Sequence, residues 1–153
     1  MEKNILLCAL IALCSCSDLK MTTQKILSAT DCIESDRWSW NNGVAVSDNI
    51  DYFGNAYSET PATFSFKTKL SGTLKLNYSL LEKSKADMEI KVDNSSAFHA
   101  TYDTNENYPA SVILTNIPKN KIIEVKGMYC TVSDVMVTSI DDNNADSEKE
   151  FDF

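Results

Sequence analysis

The chain has 153 residues, 43% of them hydrophobic, and a formal charge of −8, which is enough length for one domain with a core of its own. Its 14 Lys and Arg residues are scattered rather than gathered into a stripe, which excludes a nucleic-acid reader of the basic-patch kind. The single histidine, His99 in "SSAFHATYD", leaves zinc chemistry and a Ser-His-Asp triad without their parts, and the carboxylates fall mostly in turns and in the tail; the expectation is a protein that is not an enzyme.

In chain order, Met1-Glu2-Lys3-Asn4 precedes a ten-residue apolar run from Ile5 to Cys14. A membrane-spanning helix needs about 20 such residues, whereas a secretory h-region behind one basic residue is this short. The run closes on Leu13-Cys14-Ser15-Cys16, which resembles the bacterial lipobox, with Leu three residues before the Cys and a small residue directly before it. Cys14 fits that pattern badly, since bulky Leu13 would occupy the cleavage position; Cys16 fits it, with Ser15 there instead. The resemblance implies that residues 1–15 are a lipoprotein signal peptide and that Cys16 becomes the acylated mature N-terminus. It places the protein in the bacterial cell envelope as an outer-membrane lipoprotein, periplasmic or surface-facing. Each buried CH₂ of an acyl chain contributes about 0.8 kcal/mol, so two or more chains on one Cys hold firmly. The other readings of this stretch are an ordinary cleaved signal and a buried helix.

Removal of the signal leaves 138 residues (153 minus 15), and the charge stays at −8 because Glu2 and Lys3 cancel. Of the five cysteines, Cys8 and Cys14 leave with the signal and Cys16 carries lipid, so Cys32 and Cys130 remain. In an exported protein an even pair predicts one long-range disulfide; two separately buried thiols are the alternative. Residues 16–30, beginning "CSDLKMTTQ", read as a tether between lipid and fold.

From residue 31 to residue 140 apolar and polar positions alternate repeatedly, the period of half-buried strands. "ATFSFKT" sets Phe64 and Phe66 on one face, "GTLKLNYSL" sets Leu74, Leu76, Tyr78 and Leu80, and "ADMEIKVD" sets Met88, Ile90 and Val92. "ASVILTN", "KIIEVKG" and "VSDVMVTSI" follow, the last with Val135 and Val137 pointing one way. Turn signals stand at Ser71-Gly72, Asp93-Asn94-Ser95, Asn116 to Pro118, and Gly127. Six or more strands with short connections predict an all-β fold, an antiparallel two-sheet β-sandwich. Residues 141–153, "DDNNADSEKEFDF", hold six acidic residues and one Lys and read as a solvated, disordered tail.

The order of "WSWNNGVAVSDN", "TPATFSFKTKLSGTLKLNYSLLEKSKADMEIKVDN", "IPKNKIIEVKG" and "VSDVMV" is similar to the jelly-roll domains of bacterial surface adhesins and carbohydrate-binding modules, which share the galactose-binding-like architecture. The likeness lies mainly in the central hairpin, with its Ser-Gly turn and Tyr-Ser strand, and in the closing strand with Asp134. It implies a jelly-roll sandwich whose work is binding.

Aromatic residues are the leading site candidates. Trp38 and Trp40 in "DRWSWNNG" sit two apart, so on a strand both rings share a face, with Arg37, Asn41 and Asn42 nearby to bond sugar hydroxyls. The same rings can instead plug the end of the core. Trp40, leading into the Val44 and Val46 strand, is expected to be the more buried, and Trp38, beside Arg37, the more exposed. Tyr52, Phe53 and Tyr57 form a second candidate platform. Asp48, Asn49 and Asp51 offer oxygens to a structural Ca²⁺, although turn chemistry explains them equally well; no other cofactor is expected.

Two functions fit these features. One is a lipid-anchored, non-catalytic envelope module that binds a glycan or a protein partner, with no nucleic acid involved. The other is a lipoprotein immunity protein or inhibitor that blocks a toxin or enzyme directly, its acidic tail steering a basic partner.

Overall fold

The computed structural model describes residues 19–49 and 59–142. The signal stretch, Cys16, and residues 50–58 and 143–153 lie outside the described residues. The elements are β1 (Leu19–Ile26), one 3-10 turn (Ala29–Asp31), β2 (Glu34–Asp36), β3 (Trp38–Asn41), β4 (Val44–Ser47), β5 (Ala62–Lys67), β6 (Gly72–Leu80), β7 (Asp87–Val92), β8 (Ser95–Thr101), β9 (Ala110–Ile117), β10 (Ile122–Met128) and β11 (Cys130–Asp142). One sheet runs β3-β4-β11-β6-β9, with β1 also on β11; the other runs β2-β5-β10-β7-β8. The expected all-β antiparallel sandwich is therefore the observed fold. The residues group into two compact units: Thr23–Thr138 carries the sandwich, and the second contains, of the described residues, only 19–22 and 139–142.

The alternation read from the sequence becomes rows of buried side chains. In the second sheet Phe64, Val125 and Ile90 are opposite one another across three strands, and Phe66 and Ile123, with half-buried Val92, form the next row. Leu74, Leu76, Val132, Val135 and Val137 face them from the first sheet, each at most 1% exposed. Burying each such side chain contributes about 1.5–3 kcal/mol. Val132 and Val135 are both interior although three residues apart. A β-bulge between Ser133 and Met136, with Asp134 at φ 52, shifts the alternation there.

Turns follow local chemistry. Asp93 and Asn94, at φ 46 and 67, close the β7–β8 hairpin as expected; Asn42 and Gly43, at 49 and 78, close β3–β4 in the same way. Two consecutive positive φ values belong to the hairpin turn whose twist matches its strands, which favours Asn, Asp and Gly. Gly127, expected as a turn, instead lies inside β10. A Cβ there would come within 2.4 Å of Cys130 Sγ and 2.7 Å of the Trp38 ring, so the position requires glycine for space.

The stretch expected as a tether contains β1. β4 covers only Thr131–Ser133 of the long β11, and β1 pairs with β11 as well. Ile26 is 1% exposed in the core, and the Gln24 side chain bonds Lys67 O and the Lys69 N–H, both at 2.9 Å.

The expected Cys32–Cys130 disulfide is absent; both thiols are free. The register explains why. Ile33 N–H donates to Ser65 O and Glu34 is opposite Ser65, so Cys32 lies by the Lys67 end of β5. Cys130 follows Gly127, which is opposite Ala62 at the other end of that strand. Five residues at about 3.3 Å each separate the two positions by roughly 17 Å along the sheet, against the roughly 4.4–6.8 Å between Cα atoms that a disulfide allows.

Burial pushes the Cys130 thiol up to about 12 from an ordinary 9.0, and the half-buried Cys32 up to about 11, with Asp31 adding to the effect of burial. A raised acid pKa keeps the proton on the folded form after the unfolded chain has lost it. The corresponding stability is complete below pH 9.0 and is lost as pH rises towards about 12. Denaturation midpoints should therefore fall steeply over that range, and Cys130→Ala should flatten the fall relative to the parent, whose Tyr and Lys titrations are shared. Reductant should leave the midpoint at neutral pH unchanged.

Candidate functional site

The tryptophans do share a face, and it is the inner one. Trp38 and Trp40 both meet Phe64 edge-on, with ring centroids 5.6 and 5.1 Å apart. The expected order of burial is reversed: Trp38 is 8% exposed, its ring filling the space above Gly127, and Trp40 is half-buried. Trp40 Nε1 donates to Ser35 Oγ at 3.1 Å. Neither ring lies open as a flat platform.

The polar neighbours separate. Arg37 is half-buried in left-handed backbone, φ 63, and its carbonyl accepts the Asp48 N–H at 2.8 Å. Asn41 is exposed next to the Asn42-Gly43 turn. Asp48 is exposed, whereas Asn49 is buried with its amide engaged: Nδ2 donates to Thr60 O and Oδ1 accepts the Tyr129 N–H. Asp51, Tyr52, Phe53 and Tyr57 lie outside the described residues. Among the described residues no three His, Cys, Asp or Glu side chains converge on a common point that suits a metal ion. His99 is exposed, with Nε2 2.6 Å from Asp87 Oδ2 on the outer side of the β7–β8 pair.

A different aromatic group stands at the end of the sandwich where the chain crosses from β8 to β9. Tyr78 of β6 is buried, and its ring meets Phe98 of β8 at 5.7 Å and Tyr108 at 6.0 Å, both edge-on. Tyr108 tilts against Tyr102 at 5.7 Å. Tyr102 and Tyr108 are half-buried, and residues 103–107 between them are all exposed. This connection is folded on itself: Asp103 N–H donates to the Tyr108 hydroxyl at 3.1 Å, and Asp103 Oδ1 accepts the Asn105 N–H at 2.8 Å. Burial, with smaller effects from Tyr108 and Glu106, holds the Tyr78 phenol above its ordinary range. The result is a pair of fixed, partly open tyrosine rings rimmed by Asp103, Asn105 and Glu106. Strand alternation in the sequence marks Tyr78 alone of this group. The available signal was "TYDTNENYP", two tyrosines enclosing a run of acids and amides.

No protein-family model and no curated protein matches the sequence. Among solved structures, the C-terminal CBM6 of a marine laminarinase from Zobellia galactanivorans is similar over 78% of this chain and 99% of that one, with 7% identity and a TM-score of 0.43. The CBM35 of Paenibacillus barcinonensis is similar over 77% of this chain and 98% of that one, with 12% identity and a TM-score of 0.37. A Paenibacillus cycloisomaltooligosaccharide glucanotransferase is similar over 76% of this chain and 18% of that one, with 13% identity and a TM-score of 0.39. Likenesses this distant bring no ligand to this chain, and its site stands on its own residues.

The reversed burial makes a measurable difference. Trp38→Ala should cost about 3–5 kcal/mol, the range for a large core aromatic, and Trp40→Ala distinctly less. Chemical denaturation of the two variants gives both values, and iodide should quench Trp40 fluorescence while sparing Trp38.

Proposed function

We propose that this chain is a non-catalytic glycan-binding module of the bacterial cell envelope, held to the membrane through lipid on Cys16. The observation that carries the glycan reading is the Tyr102–Tyr108 pair, supported beneath by Tyr78 and Phe98 and rimmed by exposed Asp103, Asn105 and Glu106. A sugar ring sets an apolar C–H face on an aromatic ring while its hydroxyls bond carboxylates and amides at the rim. Rings already held by packing lose little freedom when a ligand arrives, so more of the contact energy appears as affinity. The support for the anchor is the Leu13-Cys14-Ser15-Cys16 sequence.

Screening of the full chain on a glycan array tests the binding. Tyr102→Ala and Tyr108→Ala should each weaken the best glycan by about tenfold, the factor that the loss of one contact of about 1.4 kcal/mol produces. Unchanged affinity in both variants removes the cluster from the site. For the anchor, Cys16→Ser should move the protein out of the detergent phase in phase partitioning, and Cys14→Ser should not.

A further inference from the structure

The sandwich has open sheet edges, and one of them lacks the usual protection. β2 is three residues long and carries Glu34 and Asp36; β3 is four residues long; β8 carries His99 and a register irregularity opposite Ile90 and Lys91. β9 is eight residues long, "ASVILTNI", with no ionisable side chain and no proline, and its Ile113 is 60% exposed. Among the described residues it pairs with β6 alone, so its other side leaves backbone N–H and C=O groups open to a further strand. Edges that are long, uncharged and apolar are templates for pairing.

The charges at the two ends of β9 differ in sign. Exposed Asp103 and Glu106 lie in the connection that enters it, and exposed Lys119 follows it, its N–H held by Ser71 Oγ at 2.9 Å beside exposed Lys69. Lys121 is neutralised by Asp93 at 2.9 Å. In a parallel side-by-side arrangement like charges would meet. An antiparallel pair of identical strands instead sets the acidic end of each against the basic end of the other, twice.

We propose that β9 pairs antiparallel with β9 of a second copy of this chain, joining the two six-stranded sheets into one. The regular part of the edge is Ala110–Leu114, before the left-handed Asn116 (φ 58) and the register shift opposite Gly72 and Leu74. Centring the two-fold axis on Val112 keeps inward residues inward, since a one-residue slip would turn each set to the wrong face. Ile113 then stands opposite Ser111 of the second copy and is covered. Lys119 comes beside the 103–106 connection of that copy. Because Tyr108 stands two residues before the first residue of β9, the dimer presents its two tyrosine clusters at opposite ends. That consequence rests on the glycan reading; the pairing does not.

Sedimentation equilibrium of the full chain, in detergent density-matched to the solvent, should show a monomer–dimer equilibrium that weakens with added salt. Ile113→Lys should raise the dimer Kd at least tenfold with an unchanged melting temperature, because the residue is exposed in the monomer. Lys119→Glu and Glu106→Lys should each weaken their own dimer, and an equimolar mixture of the two should recover association, since only the mixed pair sets opposite charges together at both ends. A chain that stays monomeric overturns the proposal, as does a dimer indifferent to Ile113→Lys. A dimer that the mixture fails to restore overturns the antiparallel arrangement. Monovalent glycan binding by Ile113→Lys separates this outcome from failure of the tyrosine site.

Discussion

The sandwich closes over the missing side chain at Gly127. A methyl group there would meet Cys130 Sγ and the Trp38 ring at distances no packed core tolerates. Its absence lets β3 of one sheet rest the Trp38 ring on the middle strand of the other, β10. Trp38 then meets Phe64 on the neighbouring β5, so three strands from two sheets converge on one contact. The chain also crosses between the sheets at this point through a single residue. Tyr129, at φ 49, links β10 to β11; its N–H is held by Asn49 and its carbonyl by the Leu81 N–H. Ser47 Oγ accepts the Cys130 N–H directly after it.

This closure determines where binding chemistry can be. With Trp38 in the core and Trp40 half-buried against Phe64, the aromatic group that reaches solvent as a cluster among the described residues is the one built where β8 crosses to β9. There the core continues outward as Tyr78 and Phe98 and ends in Tyr102 and Tyr108, which have one side on packed rings and the other towards solvent. An aromatic ring in that position is rigid and accessible together, a combination that a ring on a free loop lacks and a fully buried ring cannot have.

The two outer faces carry different chemistry. On the β2-β5-β10-β7-β8 sheet, Glu34, Glu124, Lys91, Lys126, Glu89 and His99 alternate across the strands, and the mixture is well solvated. On the other sheet the corresponding positions are mostly Ser, Thr, Asn and Val, tied by Ser111 to Asn77 and by Asn77 to Asp134. β9 belongs to this second, weakly charged face. Its edge lacks the charges that keep neighbouring molecules apart elsewhere, and the ions at its two ends decide the direction from which a second copy can approach.

Strands that alternate are legible from the chain alone. β5, β6, β7, β9, β10 and β11 were legible because each buries alternate residues over most or part of its length, and Asp93-Asn94 was legible because few residues accept two positive φ angles in succession. β1 and β2 were not legible, since a strand that buries little leaves no period: from Lys20 to Ile26 of β1, Ile26 is buried and the others are exposed or half-buried. The spacing of Trp38 and Trp40 determined that they share a face. Which face, and which ring lies deeper, depended on a glycine far along the chain. The same holds for Cys32 and Cys130, whose pairing was an inference from compartment and parity that the sheet register overruled. Tyr78, Phe98, Tyr102 and Tyr108 come from two sheets and a crossing connection, so only the stacking of those sheets could bring them together. Periodicity reports on a residue's own strand, whereas a site is made by the neighbours that other strands bring to it.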